Sequence, residues 1–427
     1  MKLIIHRGSH EIGGTCIELI SDNSRILIDA GLPLPSADGN VSKEKIPATL
    51  KYSLKQTTVP LKGILISHPH LDHYGLLSQI SYDVPVFAGR AASVLMKTTL
   101  ELTDKNNKWI APVAFKSGKE FEIADFTIKP YLVDHSGYDS YAFLIKSRDK
   151  SIFYSGDFRS HGRKGKLFER FLRKPPQVDV LLLEGTMIGT ERETGTLTEA
   201  QLEARFVDSI RAAEGAVFVT LSSQNIDRIV TLFRACKKSG RTLVIDPYTA
   251  EILKRLKDVQ TASGIKCSLP QAFWKGIHVC YPQHLCRWLE KNGNAEIVER
   301  YRKYGRPWSY FSKNSSKIVM LTRPSSANEI FDKKYFDLTK SKWIYSMWHG
   351  YLETDKKFAA MAEKFKEKGV CLEHIHTSGH ADMTTLKKLA ENMKYKALIP
   401  IHTSAPARYK SLFKNVIIAS DGAVLTV

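Results

Sequence analysis

The chain has 427 residues, 43% of them hydrophobic, and a formal net charge of +19. That composition excludes a disordered or fibrous chain and leaves enough mass for two or three domains. The excess of 63 Lys and Arg over 44 Asp and Glu says nothing of the fold but favours a polyanionic partner, for which nucleic-acid phosphates are the first candidate.

The N-terminus, MKLIIHRGSH, has too short an apolar run for a signal peptide. No uncharged apolar stretch reaches the roughly 18 residues of a transmembrane helix. Cysteines 16, 236, 267, 280, 286 and 371 are scattered and read as reduced thiols, so a cytoplasmic protein without membrane contact is expected. His278, Cys280, His284 and Cys286 in HVCYPQHLC match no finger spacing and are read as ordinary side chains.

In chain order, KLIIHRG, TCIELIS and RILIDAG have strand character with glycine breaks. GILI, residues 63 to 66, is a short buried strand, and it runs into SHPHLDHYG, residues 67 to 75. A helix is expected within 85 to 110, after PVFAG. FEIADFTIKPYLVDHS, SYAFLIKS, SIFYSGD and VDVLLLEGT are strands again. The texture changes after residue 195. TLTEAQLEARFVDSIRAAEG is helical, with Thr198 or Thr196 as N-cap and Gly215 as the stop. AVFVTLSS, NIDRIVTLFRACKKSG and TLVIDPY make a strand-helix-strand unit. Residues 250 to 315 read as mostly helical, KIVMLTRPSS and KWIYSMWHG as strands, and DKKFAAMAEKFKEKG as a helix. CLEHIHTSGHA and KALIPIHTS return to apolar strands ending in His. This texture predicts a first part at 1–195, an inserted α/β unit at 196–370, and a completing part at 371–427.

The chemistry concentrates at strand ends. His68, His70, Asp72 and His73 fall within six residues after a strand, a spacing suited to zinc or manganese, which take imidazole and carboxylate ligands. His68 and His70 alternate by two and point the same way on an extended chain. Asp72 and His73 are adjacent, so a turn can aim them at two neighbouring metal positions. Other strands deliver Asp29, Asp134, His135, Asp157, Glu184, His376, His380 and His402. Together these residues make a centre for two metals and a carboxylate bridge, the usual device for turning water on a phosphate ester.

SHPHLDHYG resembles the HxHxDH motif of the metallo-β-lactamase fold, and Asp29, His135 and Asp157 match further motifs of that fold. Glu184, His380 and His402 resemble the three additional motifs of the β-CASP nucleases, the group of ribonuclease J and the cleavage-and-polyadenylation endonuclease. The resemblance implies an α/β fold, an αββα sandwich with an inserted β-CASP domain. It implies a metal-dependent hydrolase of RNA, with single-stranded DNA as a further substrate, and two divalent ions, Zn²⁺ or Mn²⁺. His68, His70 and His135 would hold one ion, Asp72, His73 and His402 the other, and Asp157 would bridge them. Asp29 would orient the ligand loop from behind. His380 would protonate the leaving oxygen, held by Glu184, with Asp72 beside the reacting water.

His376, Thr377, Ser378 and Gly379 would grip nucleotide phosphates, as would Ser222 and Ser223 before a helix N-terminus, though helix capping explains these serines equally well. Arg323, Ser325 and Ser326 are a weaker set of the same kind. Trp274, Trp288, Trp308 and Trp348 are candidates for base stacking or for the core. The chain ends about 25 residues after His402, short of the C-terminal domain of ribonuclease J, which leaves a homodimer as a candidate assembly. IHTSAP replaces the family's glycine-glutamate after the last His, removing a charge. DHSGYDS carries Gly137 and Tyr138 at a variable position. A small-molecule ester or thioester hydrolase and a non-catalytic nucleic-acid-binding subunit are the alternative functions.

Overall fold

The computed structural model describes residues 1–34, 45–55, 58–80, 83–103, 109–191, 193–332 and 335–427. The strands are β1 (Lys2–Arg7), β2 (Cys16–Ile20), β3 (Arg25–Ile28), β4 (Leu61–Leu65), β5 (Val86–Gly89) and β6 (Val113–Phe115). Then come β7 (Phe121–Ile123), β8 (Phe126–Val133), β9 (Ser140–Ser147), β10 (Lys150–Tyr154) and β11 (Gln177–Glu184). The insertion holds β12 (Val217–Thr220), β13 (Thr242–Ile245), β14 (Ile277–Val279), β15 (Ile318–Leu321), β16 (Lys342–Tyr345) and β17 (Leu372–His374). The chain closes with β18 (Lys394–Ile401) and β19 (Val424–Thr426).

These strands form three sheets, ordered β19-β1-β2-β3-β4-β5-β6, β18-β11-β10-β9-β8-β7 and β14-β13-β15-β12-β16-β17. The first two face each other. Leu3, Ile5, Ile17, Leu19, Ile26, Ile28 and Leu65 meet Phe143, Ile145, Ile152, Tyr154, Leu182, Ile399 and Ile401 in one buried cluster. Alternation along each strand sends the other residues outward, where helices cover them. Leu27, Ile64 and Ala88 pack under Leu50, Tyr74, Leu77 and Met96, which lie on helices. On the far side, Phe153, Leu181 and Leu183 pack under Phe168, Leu386 and Leu389. The result is the expected αββα layering.

The third sheet is parallel throughout and buried on both faces, as its unbroken apolar strands require. Val217, Val219, Ile245 and Ile344 pack on one face, and Phe218, Val244, Met320 and Trp343 on the other. The helix opening this unit starts at Glu199, capped by Thr198 rather than Thr196 through a capping box with Gln201. It stops at Arg211, before Gly215.

Three expectations need correction. β17 pairs with β16, so the inserted sheet runs to His374 and the boundary at 370/371 falls too early. Its three residues are half-exposed at a sheet edge, which gives little apolar signal. The stretch 250–315 contains β14, a strand too short to break the helical texture. In 85–110 the described helix spans Arg90–Thr103, and 104–108 lie outside the described residues.

The return of the chain positions the site. β18 lies parallel to β11 with Glu184 opposite Ile401, so Glu184 and His402 emerge side by side although more than 200 residues apart. Leu182, fully buried in the sandwich, supports that pairing. Leu182→Ala is expected to destabilise the protein by about 2–5 kcal/mol, read as a lower thermal midpoint.

Candidate metal centre

β3 ends at Ile28, and Asp29 follows with φ of 59°, a left-handed conformation uncommon for a residue with a Cβ. That bend aims a fully buried carboxylate into the sandwich. Asp29 accepts from Ser67 N at 2.7 Å, Ser67 Oγ at 2.7 Å, Tyr154 Oη at 2.6 Å and His73 Nδ1 at 2.7 Å. The loop after β4 is thereby tied to both sheets. Leu71–Tyr74 forms one helical turn, and Gly31 lies so close that a Cβ there would overlap the Asp72 carbonyl oxygen.

His68, His70 and His135 converge: His70 Nδ1 lies 3.0 Å from His68 Nε2 and 3.2 Å from His135 Nε2. Asp72, His73 and His402 form a second group, and Asp157 joins His68 and His73 in a third. His73 Nε2 stands 3.1 Å from Asp157 and 3.7 Å from Asp72, and His402 Nε2 stands 3.4 Å from Asp72 and 3.8 Å from Asp157. Asp72 and His73, expected to serve two neighbouring positions, both join His402, while His73 also reaches the Asp157 group.

Outer bonds fix the tautomers. His73 donates through Nδ1 to Asp29, and His135 donates through Nδ1 to the Gly379 carbonyl at 2.5 Å. His402 Nδ1 meets Thr186 Oγ1 at 2.7 Å. The Nε2 of His73 is then a buried atom with no hydrogen-bond partner, facing a carboxylate. A lone pair opposed to an anion in a dry site is unfavourable unless a cation lies between them. The donor set therefore fits divalent cations, with Nε2 of His68, His73, His135 and His402 and oxygens of Asp72 and Asp157 as ligands.

The electrostatics separate the imidazoles: burial lowers His73, but Asp157, Asp29 and Asp72 outweigh it and raise that ring well above the usual range, the mark of a carboxylate pocket that calls for positive charge. Burial and the neighbouring imidazoles push His68 and His135 well below the usual range. Burial likewise brings His70 to about 4, so these rings are neutral ligands near pH 7. Burial raises Asp72, but His73 and His402 outweigh it and hold the carboxyl at about 2. Asp157 is lowered well below its usual value, because His402, His73 and His380 outweigh its burial.

Beside this cluster, Glu184 is fully buried. It accepts from the backbone N–H of Phe158, Thr186 and Ala381 at 3.3, 3.1 and 3.2 Å. It faces His380 Nδ1 at 3.3 Å, out of hydrogen-bond alignment. Burial lowers the His380 imidazole, but Glu184 and Asp157 outweigh it and raise the group to about 9.

A model of the beta-lactamase superfamily domain matches residues 24–219. The chain is 24% identical to ribonuclease J of Sinorhizobium meliloti, covering 81% of this chain and 58% of that one. It is 24% identical to ribonuclease J 2 of Streptococcus pyogenes, covering 99% of this chain and 72% of that one. A probable RNase of Methanocaldococcus jannaschii is 24% identical, covering 94% of this chain and 93% of that one. The chain is thus similar over most of its length to ribonucleases J, and over residues 24–219 to the beta-lactamase superfamily domain. It spans about three-fifths of the length of the Sinorhizobium relative. A crystal structure of a protein of unknown function from Enterococcus faecalis shares the fold, with TM-score 0.78, 18% identity, and coverage of 100% of this chain and 99% of that one.

Some features of this site escape sequence reasoning. Arg159 is fully buried and holds Asp134 at 3.1 Å, Asp227 at 2.9 Å and the Ser378 carbonyl at 3.0 Å. Asp134 is thus an ion-pair partner and not a ligand. Arg228, also fully buried, pairs with Glu199 at 3.0 Å and lies 3.4 Å from His376. These arginines join the insertion to the His380 loop. The signal available was Arg159 two residues after Asp157, easily taken for a surface charge.

The expected phosphate residues divide. His376, Thr377, Ser378 and Gly379 do lie in the loop leading to His380, but Thr377 Oγ1 donates to the Leu197 carbonyl and Ser378 O is taken by Arg159 and His161. Ser222 is exposed and accepts from Gln224 N at 3.3 Å, while Asn225 caps the helix that follows. Ser223 is buried and bonded to Thr249 and Arg323, so its hydroxyl is engaged inside the protein, and the phosphate reading of that residue is not supported. Arg323 is likewise drawn to Asp246 at 2.6 Å. No helix among the described residues is long and apolar enough to cross a membrane.

Removing the bridging-side imidazole tests the ligand assignment. His73→Ala is expected to lower bound metal, measured by elemental analysis, from about two equivalents per chain to about one or fewer.

Proposed function

We propose that the chain is a metal-dependent phosphodiesterase that hydrolyses RNA, with Zn²⁺ or Mn²⁺ held by His68, His70, Asp72, His73, His135, Asp157 and His402. The observation that carries this reading is the Glu184–His380 pair beside the ligand cluster, 3.3 Å apart. A hydrolase needs only the cluster; an acid poised next to it suits a poor leaving group such as a ribose oxygen. When bound, the two cations supply Lewis acidity and lower the pKa of water for attack on phosphorus.

The protein's own groups do the rest. Glu184, held by three backbone N–H groups, stands 3.3 Å from His380 Nδ1, where its charge favours the protonated imidazole and leaves Nε2 to pass a proton to the departing oxygen. The Asp29 hydrogen bonds keep His73 in one tautomer, so no reorganisation is needed during reaction. The +19 charge draws a polyanionic strand toward the protein. Similarity to ribonucleases J supports RNA as substrate over small esters.

The test is cleavage of 5′-monophosphate and 5′-hydroxyl single-stranded RNA, and of matching DNA, by purified protein with Mn²⁺ or Zn²⁺. Released mononucleotides would mean an exonuclease and internal fragments an endonuclease. No cleavage with two metals bound would overturn the reading in favour of a small ester substrate or a binding subunit. His380→Ala is expected to lower kcat by about 10²–10⁴-fold with metal content retained.

Glu184→Gln is expected to move the alkaline limb of the pH-rate profile to lower pH. The Glu184 carboxylate holds the imidazole proton, and its loss lets that proton leave earlier as pH rises. Bound cations lower the same pKa in both proteins, so the direction of the difference stands.

A further inference from the structure

We propose that Trp348 and Tyr351 form a platform beside the segment that leads to His380, on which a nucleobase of the substrate strand stacks. This rests on the RNA-hydrolase reading and names the feature of the substrate that the inserted unit recognises.

Tryptophans are usually core residues, and the structure separates the four candidates on that point. Trp274 packs against Phe233 with ring centroids 5.7 Å apart, and Trp288 lies against the same core. Trp308 stacks on Tyr335 at 5.8 Å and 7°. All three are accounted for by packing. Trp348 is 57% exposed and Tyr351 37% exposed, and their rings meet edge to face at 5.3 Å and 86°.

The pair sits in the loop after β16, at the carboxyl end of a parallel sheet, where open α/β sheets place ligands. The loop is braced. Tyr345 Oη donates to the Trp348 carbonyl at 3.3 Å, and the same carbonyl accepts from Tyr351 N at 3.2 Å. Gly350 lies directly under the indole, where any Cβ would overlap the ring. A ring preset in this way loses little freedom on binding.

The position is next to the chemistry. His349 lies 5.4 Å from His374, and His374 lies 5.8 Å from His376 in the segment that leads to His380. Flat aromatic surface beside a phosphodiesterase centre in a strongly basic chain suits a single strand, whose bases offer π faces and whose phosphates offer charge.

The experiment compares the full-length wild type, Trp348→Ala and Trp348→Phe on a short single-stranded RNA and on the same oligomer made abasic. In a His380→Ala background Kd is read by the anisotropy of a labelled oligomer and stacking by tryptophan fluorescence; turnover is read in the native background. The platform predicts quenching by RNA but little by the abasic oligomer. It predicts KM and Kd for RNA raised roughly 5- to 150-fold in Trp348→Ala, partly restored in Trp348→Phe, with kcat little changed. The abasic oligomer should not distinguish the variants. Equal KM and Kd for RNA in wild type and Trp348→Ala would overturn the platform even if RNA is cleaved. Absence of RNA binding by the wild type would overturn it too. A raised Kd for RNA in Trp348→Ala, without cleavage by any form, would keep the platform and overturn the hydrolase reading instead.

Discussion

The buried Asp29 carboxylate is the interaction on which the centre depends. A charge with no solvent access is tolerated only when its lone pairs are filled, and four donors fill them: two from Ser67, one from Tyr154, one from His73. Those donors come from the second sheet, through Tyr154, and from the ligand loop, while Asp29 itself follows β3 of the first sheet. One residue therefore fixes where the loop sits, which nitrogen of His73 carries its proton, and how the sheets register at that end. The left-handed backbone at Asp29 is the local cost, and packing holds it in place.

The second constraint is topological. β11 leaves the sandwich, the chain builds a whole parallel sheet, and β18 returns to pair with β11. That return sets Glu184 beside His402 and brings His380 against Glu184. The inserted unit is not merely attached. Arg159 and Arg228, both fully buried, bind acids and carbonyls on each side of the junction. A buried guanidinium with a partner removed is strongly unfavourable, so these contacts hold the His380 loop to one geometry.

Electrostatics then divides the histidines by task. His68, His70 and His135 crowd one another in a dry pocket and remain neutral, the state in which an imidazole can take a metal. His380, at the rim and beside two carboxylates, keeps its proton. The same side chain thus serves as electron donor or acid according to its neighbours.

The sequence by itself determined the elements and the ligand types. Strand periodicity is local, so β1 to β4 and β8 to β13 were legible, and so was the cluster of His and Asp at strand ends. The HxHxDH spacing and the later motifs pointed to the right fold and to residues that do converge. What only the tertiary structure decided is everything carried by long-range contact. β17 is short and half-exposed, so its membership of the inserted sheet shows only in its pairing. Arg159, Thr186 and Tyr154 look like ordinary residues until the fold sets them against Ser378, His402 and Asp29. Ser223 and Trp308 carry the composition of binding residues, yet packing engages them internally, while Trp348 is left facing solvent. Residue type and spacing state what chemistry a side chain can do; burial and neighbours, set by contacts between distant segments, decide whether it does it.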